Sequence, residues 1–129
     1  MRCMLDADTC VLLIQRDPRI HPQAALNDCI LSTIVLGELE YAVADSSPGL
    51  REQNKLALLD FVSATRVLRV TDSVSEKYGE IRAQLKDQPI GPNNLWIAAH
   101  ALSLDVPLIT NNKTAFNGVP NLRIDSWLA

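Results

Sequence analysis

Residues 90–112 read Ile90-Gly91-Pro92-Asn93-Asn94-Leu95-Trp96-Ile97-Ala98-Ala99-His100-Ala101-Leu102-Ser103-Leu104-Asp105-Val106-Pro107-Leu108-Ile109-Thr110-Asn111-Asn112. Proline suits the first turn of a helix, where its missing N–H is not needed, and asparagine is among the best residues for capping that turn. The apolar run after Asn94 predicts a helix over residues 93–104. A buried strand follows over 106–110 and ends in polar side chains. A helix delivered straight into such a strand is the repeating unit of α/β architecture.

The chain on either side repeats that unit. Upstream, Pro89-Ile90-Gly91-Pro92 stops a helix that Thr71-Asp72-Ser73 begins and that places Val74, Tyr78, Ile81 and Leu85 on one face. A strand at 67–70 precedes it. Before that comes a helix over 50–64, offering Leu56, Leu59, Phe61 and Val62 to the core. Ser46-Ser47-Pro48-Gly49 separates this helix from another that starts after Thr33 and keeps its period to Asp45. Residues 29–32 form a buried strand and 21–26 a short helix. A helix over 10–14, N-capped by Asp8 or Thr9 and ended by Asp17-Pro18, follows a first strand at 2–5. Downstream, a turn of helix at 113–116 leads to a last strand at 122–125. Short apolar strands alternating with helices predict a mostly parallel central sheet flanked by helices on both faces. With no repeat, low-complexity tract or linker, residues 1–129 are expected to form one domain.

Bulk composition narrows the classes. Hydrophobic residues make up 47% and charged residues 21%, which fits a globular domain and not a disordered chain. The apolar runs are too short for a membrane span, and no signal segment is visible, so no membrane association and a cytoplasmic location are expected. Cys3, Cys10 and Cys29 lie in apolar stretches without metal-binding spacing and read as buried free thiols. The net charge of −3 provides no broad basic field for nucleic acid. Any such contact must be local or supplied by a dimer groove.

In an open parallel sheet, ligands bind beyond the carboxyl ends of the strands. Four polar residues fall at those ends or in the helical turns that follow: Asp6, Glu38, Asn94 and Asn112. Carboxylates gathered in one place repel unless a cation neutralises them, so such a cluster implies hard oxygen ligands for magnesium or manganese. No histidine-rich or thiolate set competes for zinc. Water activated on such an ion attacks phosphorus, and the implied reaction is phosphodiester hydrolysis.

Each of these residues also has an ordinary structural role to weigh. Asp6 could open a turn, Glu38 could be a solvated helix residue, and Asn93 and Asn94 could serve only as caps. Asn112 could be part of a strand-to-turn connection. His100 lies six residues past Asn94, roughly 240° around the helix, and is expected to make a structural hydrogen bond. Trp96 and Trp127 fit a core or subunit interface, with base stacking as the alternative.

Taken together, the motifs resemble the PIN-domain ribonucleases, and among them the VapC toxins of bacterial toxin-antitoxin pairs. The resemblance rests on Leu5-Asp6-Ala7-Asp8-Thr9-Cys10, on Ser32-Thr33-Ile34 with Gly37-Glu38-Leu39 and Tyr41, and on Ile90-Gly91-Pro92-Asn93 with Leu95-Trp96-Ile97-Ala98-Ala99-His100-Ala101. Thr110-Asn111-Asn112 with Phe116 and residues 122–127 complete it. It implies a PIN-like three-layer sandwich and a metal-dependent endoribonuclease acting on single-stranded or loop RNA, transfer RNA included. It also implies a toxin homodimer, a VapB-type antitoxin, and a larger complex that meets operator DNA through the antitoxin. By that resemblance Asp6 would be the central metal ligand, Glu38 the second acid and Asn94 the place of the third, these three forming the catalytic metal set, with Asn112 or Ala115 the place of a fourth catalytic acid. Two of these places therefore lack the acid. Asn94 is either an inactivating substitution, which the intact motif around it favours, or a natural residue of a weakened site. A catalytically dead module that binds antitoxin or RNA is the alternative function. A phosphatase of the haloacid dehalogenase type, suggested by Asp6-Ala7-Asp8 after a strand, ranks below both.

Overall fold

Every residue of the first strand, β1 (Cys3–Leu5), is buried, and so is every residue of β2 (Cys29–Ser32). Unbroken burial of this kind is what a parallel strand covered on both faces requires. In the computed structural model, which describes residues 2–88 and 90–128, β1 lies at the centre of a five-stranded parallel sheet. The other strands are β3 (Arg66–Leu68), β4 (Leu108–Ile109) and β5 (Ile124–Asp125), in the order β3-β2-β1-β4-β5. Cys3 pairs with Cys29 on one side of β1, and Met4 pairs with Leu108 on the other. The chain builds outward from β1 through β2 to β3, then returns to lay β4 on the opposite flank. The order therefore reverses beside β1, and a crevice is expected at the carboxyl ends of β1 and β4.

Helices α1 (Ala7–Ile14), α2 (Thr33–Ala44), α3 (Pro48–Ala64), α4 (Asp72–Gln84), α5 (Pro92–Leu104) and the short α6 (Lys113–Phe116) complete the architecture. The largest helix-to-helix packing joins α4 to α5, and Tyr78 stacks on Trp96 with ring centroids 3.9 Å apart. Helix α5 buries Leu95, Ile97, Ala98, Ala99, His100 and Ala101, and three alanines let its neighbours approach closely. It ends at Asp105, in the left-handed conformation that closes many helices. Cys3, Cys10 and Cys29 are free and buried. Among the described residues no helix is long and apolar enough to cross a membrane.

Several local expectations need correction. Helix α1 starts at Ala7 with Asp6 as its N-cap, so neither Asp8 nor Thr9 caps it; Thr9 supplies the amide that is capped. Residues 21–25 are irregular and only Leu26–Asp28 forms a single 3₁₀ turn. There His21 N–H donates to the Trp127 carbonyl at 2.7 Å and Ile20 bridges Leu128, so the backbone is committed to the C-terminal segment instead of to a helix. Helix α3 takes in Pro48, which the first turn tolerates. Its buried face carries Leu58 and Phe61, while Leu56 and Leu59, which lie off that stripe, are exposed. The strands are shorter than their apolar runs. Pro107 has no N–H for a ladder, although its carbonyl accepts from Met4 at 2.9 Å. Pro89, in the expected stop before α5, lies outside the described residues.

Candidate active site

Asp6 follows directly on β1, at the point where strand order reverses. One carboxylate oxygen accepts from the Thr9 amide at 2.9 Å and so caps α1. The other accepts from the Thr110 hydroxyl at the end of β4. Thr110 in turn accepts from the Asn112 amide at 3.0 Å, and the Thr9 hydroxyl donates to the Ile109 carbonyl at 3.3 Å. These bonds lock the carboxylate between two adjacent strand ends. Only 7% of Asp6 is exposed. Burial raises its pKa, and the bonds from Thr110 and Thr9 offset part of that rise.

Glu38 reaches the same place from α2. The Ser32 hydroxyl caps that helix by accepting from Ile34 N–H at 3.2 Å, and it also meets His100 Nδ1 at 2.9 Å. The end of β2 and the body of α5 are thus fastened together, which is the structural role expected of His100. Glu38 is half-buried, and its Oε1 is enclosed without a hydrogen-bond partner among the described residues. Its pKa is raised, first by burial and then by repulsion from Asp6 and Asp8, while the Asn93 side chain acts against the rise. An open cleft of about 630 Å³ runs past Asp8, Thr33, Gly37, Glu38, Tyr41 and Asn93.

The amide-bearing residues are placed differently. Asn94 is half-buried in the first turn of α5 and makes no hydrogen bond to Asp6 or Glu38 among the described residues. Its neighbour Asn93 is the residue that lines the cleft with Glu38 and acts on the Glu38 pKa. The sequence offers Asn93 only as a cap, but the N-cap is Gly91, which has no side-chain bond to offer. Asn112 is exposed, and its side chain caps α6 by accepting from Ala115 N–H at 3.3 Å. It reaches the site only through its main chain and Thr110. Thr9 and Thr110 hold the Asp6 carboxylate, a role that the sequence does not assign to either. The signal for Thr110 was a hydroxyl closing an otherwise apolar strand.

Among the described residues no three His, Cys, Asp or Glu side chains gather to hold a metal. The donors that do converge nevertheless fit a small, hard divalent cation. They are all oxygen, two of them are carboxylates that repel each other, and one buried carboxylate oxygen has no partner. Magnesium characteristically takes one or two carboxylates and keeps several waters. The candidate soft ligands are already engaged or enclosed, with His100 on Ser32 and the thiols in the core.

Comparison with known proteins agrees with this geometry. The PIN domain family model matches residues 4–121. The chain is 35% identical to Ribonuclease VapC2 of Rickettsia felis, over 96% of each chain. It is 36% identical to the tRNA(fMet)-specific endonuclease VapC of Salmonella typhimurium, over 98% of each. Among solved structures it is similar to VapBC2 from Rickettsia felis bound to a DNA fragment from their promoter, with a TM-score of 0.83 and 33% identity over 98% of this chain and 99% of that one. DNA-bound VapBC from Salmonella typhimurium gives a TM-score of 0.87 with 31% identity over 98% of both chains. The family-model match over most of the chain and the near full-length similarity to VapC proteins place the chain in the PIN-domain family, in its VapC branch.

Proposed function

We propose that this chain is the toxin of a toxin-antitoxin pair, a divalent-metal-dependent endoribonuclease whose site is weakened by Asn94. The observation that carries the reading is the pairing of Asp6 and Glu38 at the sheet's reversal point, with one glutamate oxygen buried and unpartnered. Relatives named as ribonucleases, one as a tRNA(fMet)-specific endonuclease, support RNA as the substrate and make a transfer RNA loop a candidate. Asp6 and Glu38, with Asn94 as a neutral third donor, would hold magnesium or manganese. When bound, such an ion supplies a water of lowered pKa and offsets charge on the leaving oxygen. Thr110 and Thr9 keep the Asp6 carboxylate oriented, and burial keeps bulk water from screening it. Asn112 contributes its amide to Thr110.

The same reading includes a VapB-type antitoxin, a toxin homodimer, and a larger complex that meets operator DNA through the antitoxin. Neighbouring structures titled as VapBC complexes on DNA support that assembly. Residues 1–129 would act as one cytoplasmic domain. A second reading, a module that binds RNA or antitoxin without turnover, is favoured by Asn94, by Ala115 and by the missing third acid.

Magnesium or manganese titration and RNA cleavage of the chain beside Asn94→Asp test both readings. An added anionic ligand should tighten metal binding and raise cleavage by about 10²-fold, the scale on which metal-site partners act. A variant that still binds RNA and antitoxin yet cleaves nothing leaves only the second reading.

A further inference from the structure

Tyr41 lies on α2 three residues beyond Glu38, a spacing that puts two side chains on one helix face. Both line the cleft, together with Ala7 and Asp8 of the turn that follows Asp6. The tyrosine is 69% exposed, more than any other large hydrophobic side chain among the described residues. No hydrogen bond to its hydroxyl is present among the described residues. It contributes little to the core, since the buried face of α2 is carried by Val35 and Leu39. An aromatic ring left open on the rim of a catalytic cleft calls for a ligand with a flat face of its own.

The charge of the cleft narrows that ligand's mode of binding. Its walls carry Asp8 and Glu38, with apolar surface from Val11, Leu39 and Ala42, and no basic side chain. The lining side chains offer a phosphate no cationic partner, so beyond what a bound divalent ion supplies, the side chains here can hold RNA only through contacts that do not depend on charge. Stacking a base on an aromatic ring is such a contact and tolerates any sequence. Trp96, the other candidate platform, is half-buried and already gives a face to Tyr78. On the ribonuclease reading above, we propose that Tyr41 is a base-stacking platform that seats one unpaired nucleotide next to the Asp6–Glu38 pocket.

The test uses the full chain and a short single-stranded RNA carrying 2-aminopurine, whose fluorescence falls when it stacks. The parent should quench the probe on binding. Tyr41→Ala should bind roughly 10-fold more weakly and lose the quench, while Tyr41→Phe and Tyr41→Trp retain both. The salt dependence of binding should be the same for parent and Tyr41→Ala, because no phosphate contact is removed. If Tyr41→Ala binds and quenches as the parent does, or Tyr41→Phe is as weak as Tyr41→Ala, stacking by the ring is wrong while RNA binding stands. If Tyr41→Ala loses only affinity for an antitoxin protein, the ring serves a protein partner and the inference falls. A parent that binds no RNA overturns both the inference and the ribonuclease reading.

Discussion

The two walls of the cleft were built under different constraints. On the side formed by β1 and α2, the acid that follows β1 is tied into the architecture: Asp6 caps α1, bonds to β4 through Thr110 and sits almost fully enclosed. On the side formed by α5 and the segment after β4, Asn94 and Asn112 carry amides, and the sheet asks little of them. The buried residues of α5 begin at Leu95, its N-cap is a glycine, and Asn112 serves α6. Charge at position 94 can therefore be lost without loosening the sheet, whereas charge at position 6 is coupled to stability. Fold and chemistry separate along that line.

The strongest way to break this contrast is at Asp6. Asp6→Ala removes the cap of α1, at about 1 kcal/mol, and leaves the Thr110 hydroxyl without its acceptor, at about 1–3 kcal/mol. Asp6→Asn keeps an acceptor for Thr9 and discards the buried charge. Thermal unfolding should rank Asp6→Ala clearly below Asp6→Asn, while both lose divalent-ion binding by calorimetry. Equal melting temperatures for the two variants would mean that Asp6 has no architectural role.

Asn112→Ala probes the other wall and should do less. The loss of the α6 cap costs about 1 kcal/mol, and divalent-ion affinity should stay where it was. A fall in affinity of about 10-fold or more, on the scale of lost metal-site partners, would make Asn112 a partner of the ion and erase the distinction between the two sides.

Legibility in the sequence followed the same division. The sheet could be read because β1, β2 and β4 are runs of buried residues and each ends in a polar one, and that pattern located Asp6 and the start of α2. The segment at 21–25 was misread because its composition suits a helix, while its actual structure depends on His21 meeting Trp127, more than a hundred residues away. Leu56 and Leu59 were misassigned because α3 has several leucines, and local pattern does not say which stripe its neighbours cover. At the site, residue types could be read but side-chain direction could not. One residue along a helix is about 100° of rotation, and that decides that Asn93 and not Asn94 lines the cleft with Glu38.

Glu38→Gln should produce the smallest effect, and its sign is the informative part. The folded protein holds the Glu38 pKa above its ordinary value of 4.5, by burial first and by repulsion from Asp6 and Asp8 next. A carboxyl with a raised folded pKa contributes its full stability below the ordinary value and loses it as pH rises through the raised one. At neutral pH the metal-free parent should therefore melt slightly below Glu38→Gln, and the difference should vanish under acidic conditions, where the parent's Glu38 is protonated. Half-exposure keeps the gap small, because solvent screens the repulsion. Magnesium should reverse the order by stabilising the parent more than the variant. Melting curves from pH 4 to 8, with and without the ion, measure this directly. A parent more stable than Glu38→Gln at neutral pH without metal would show that the acidic wall is already neutralised by the protein's own groups, and the contrast between the two walls would lose its electrostatic basis.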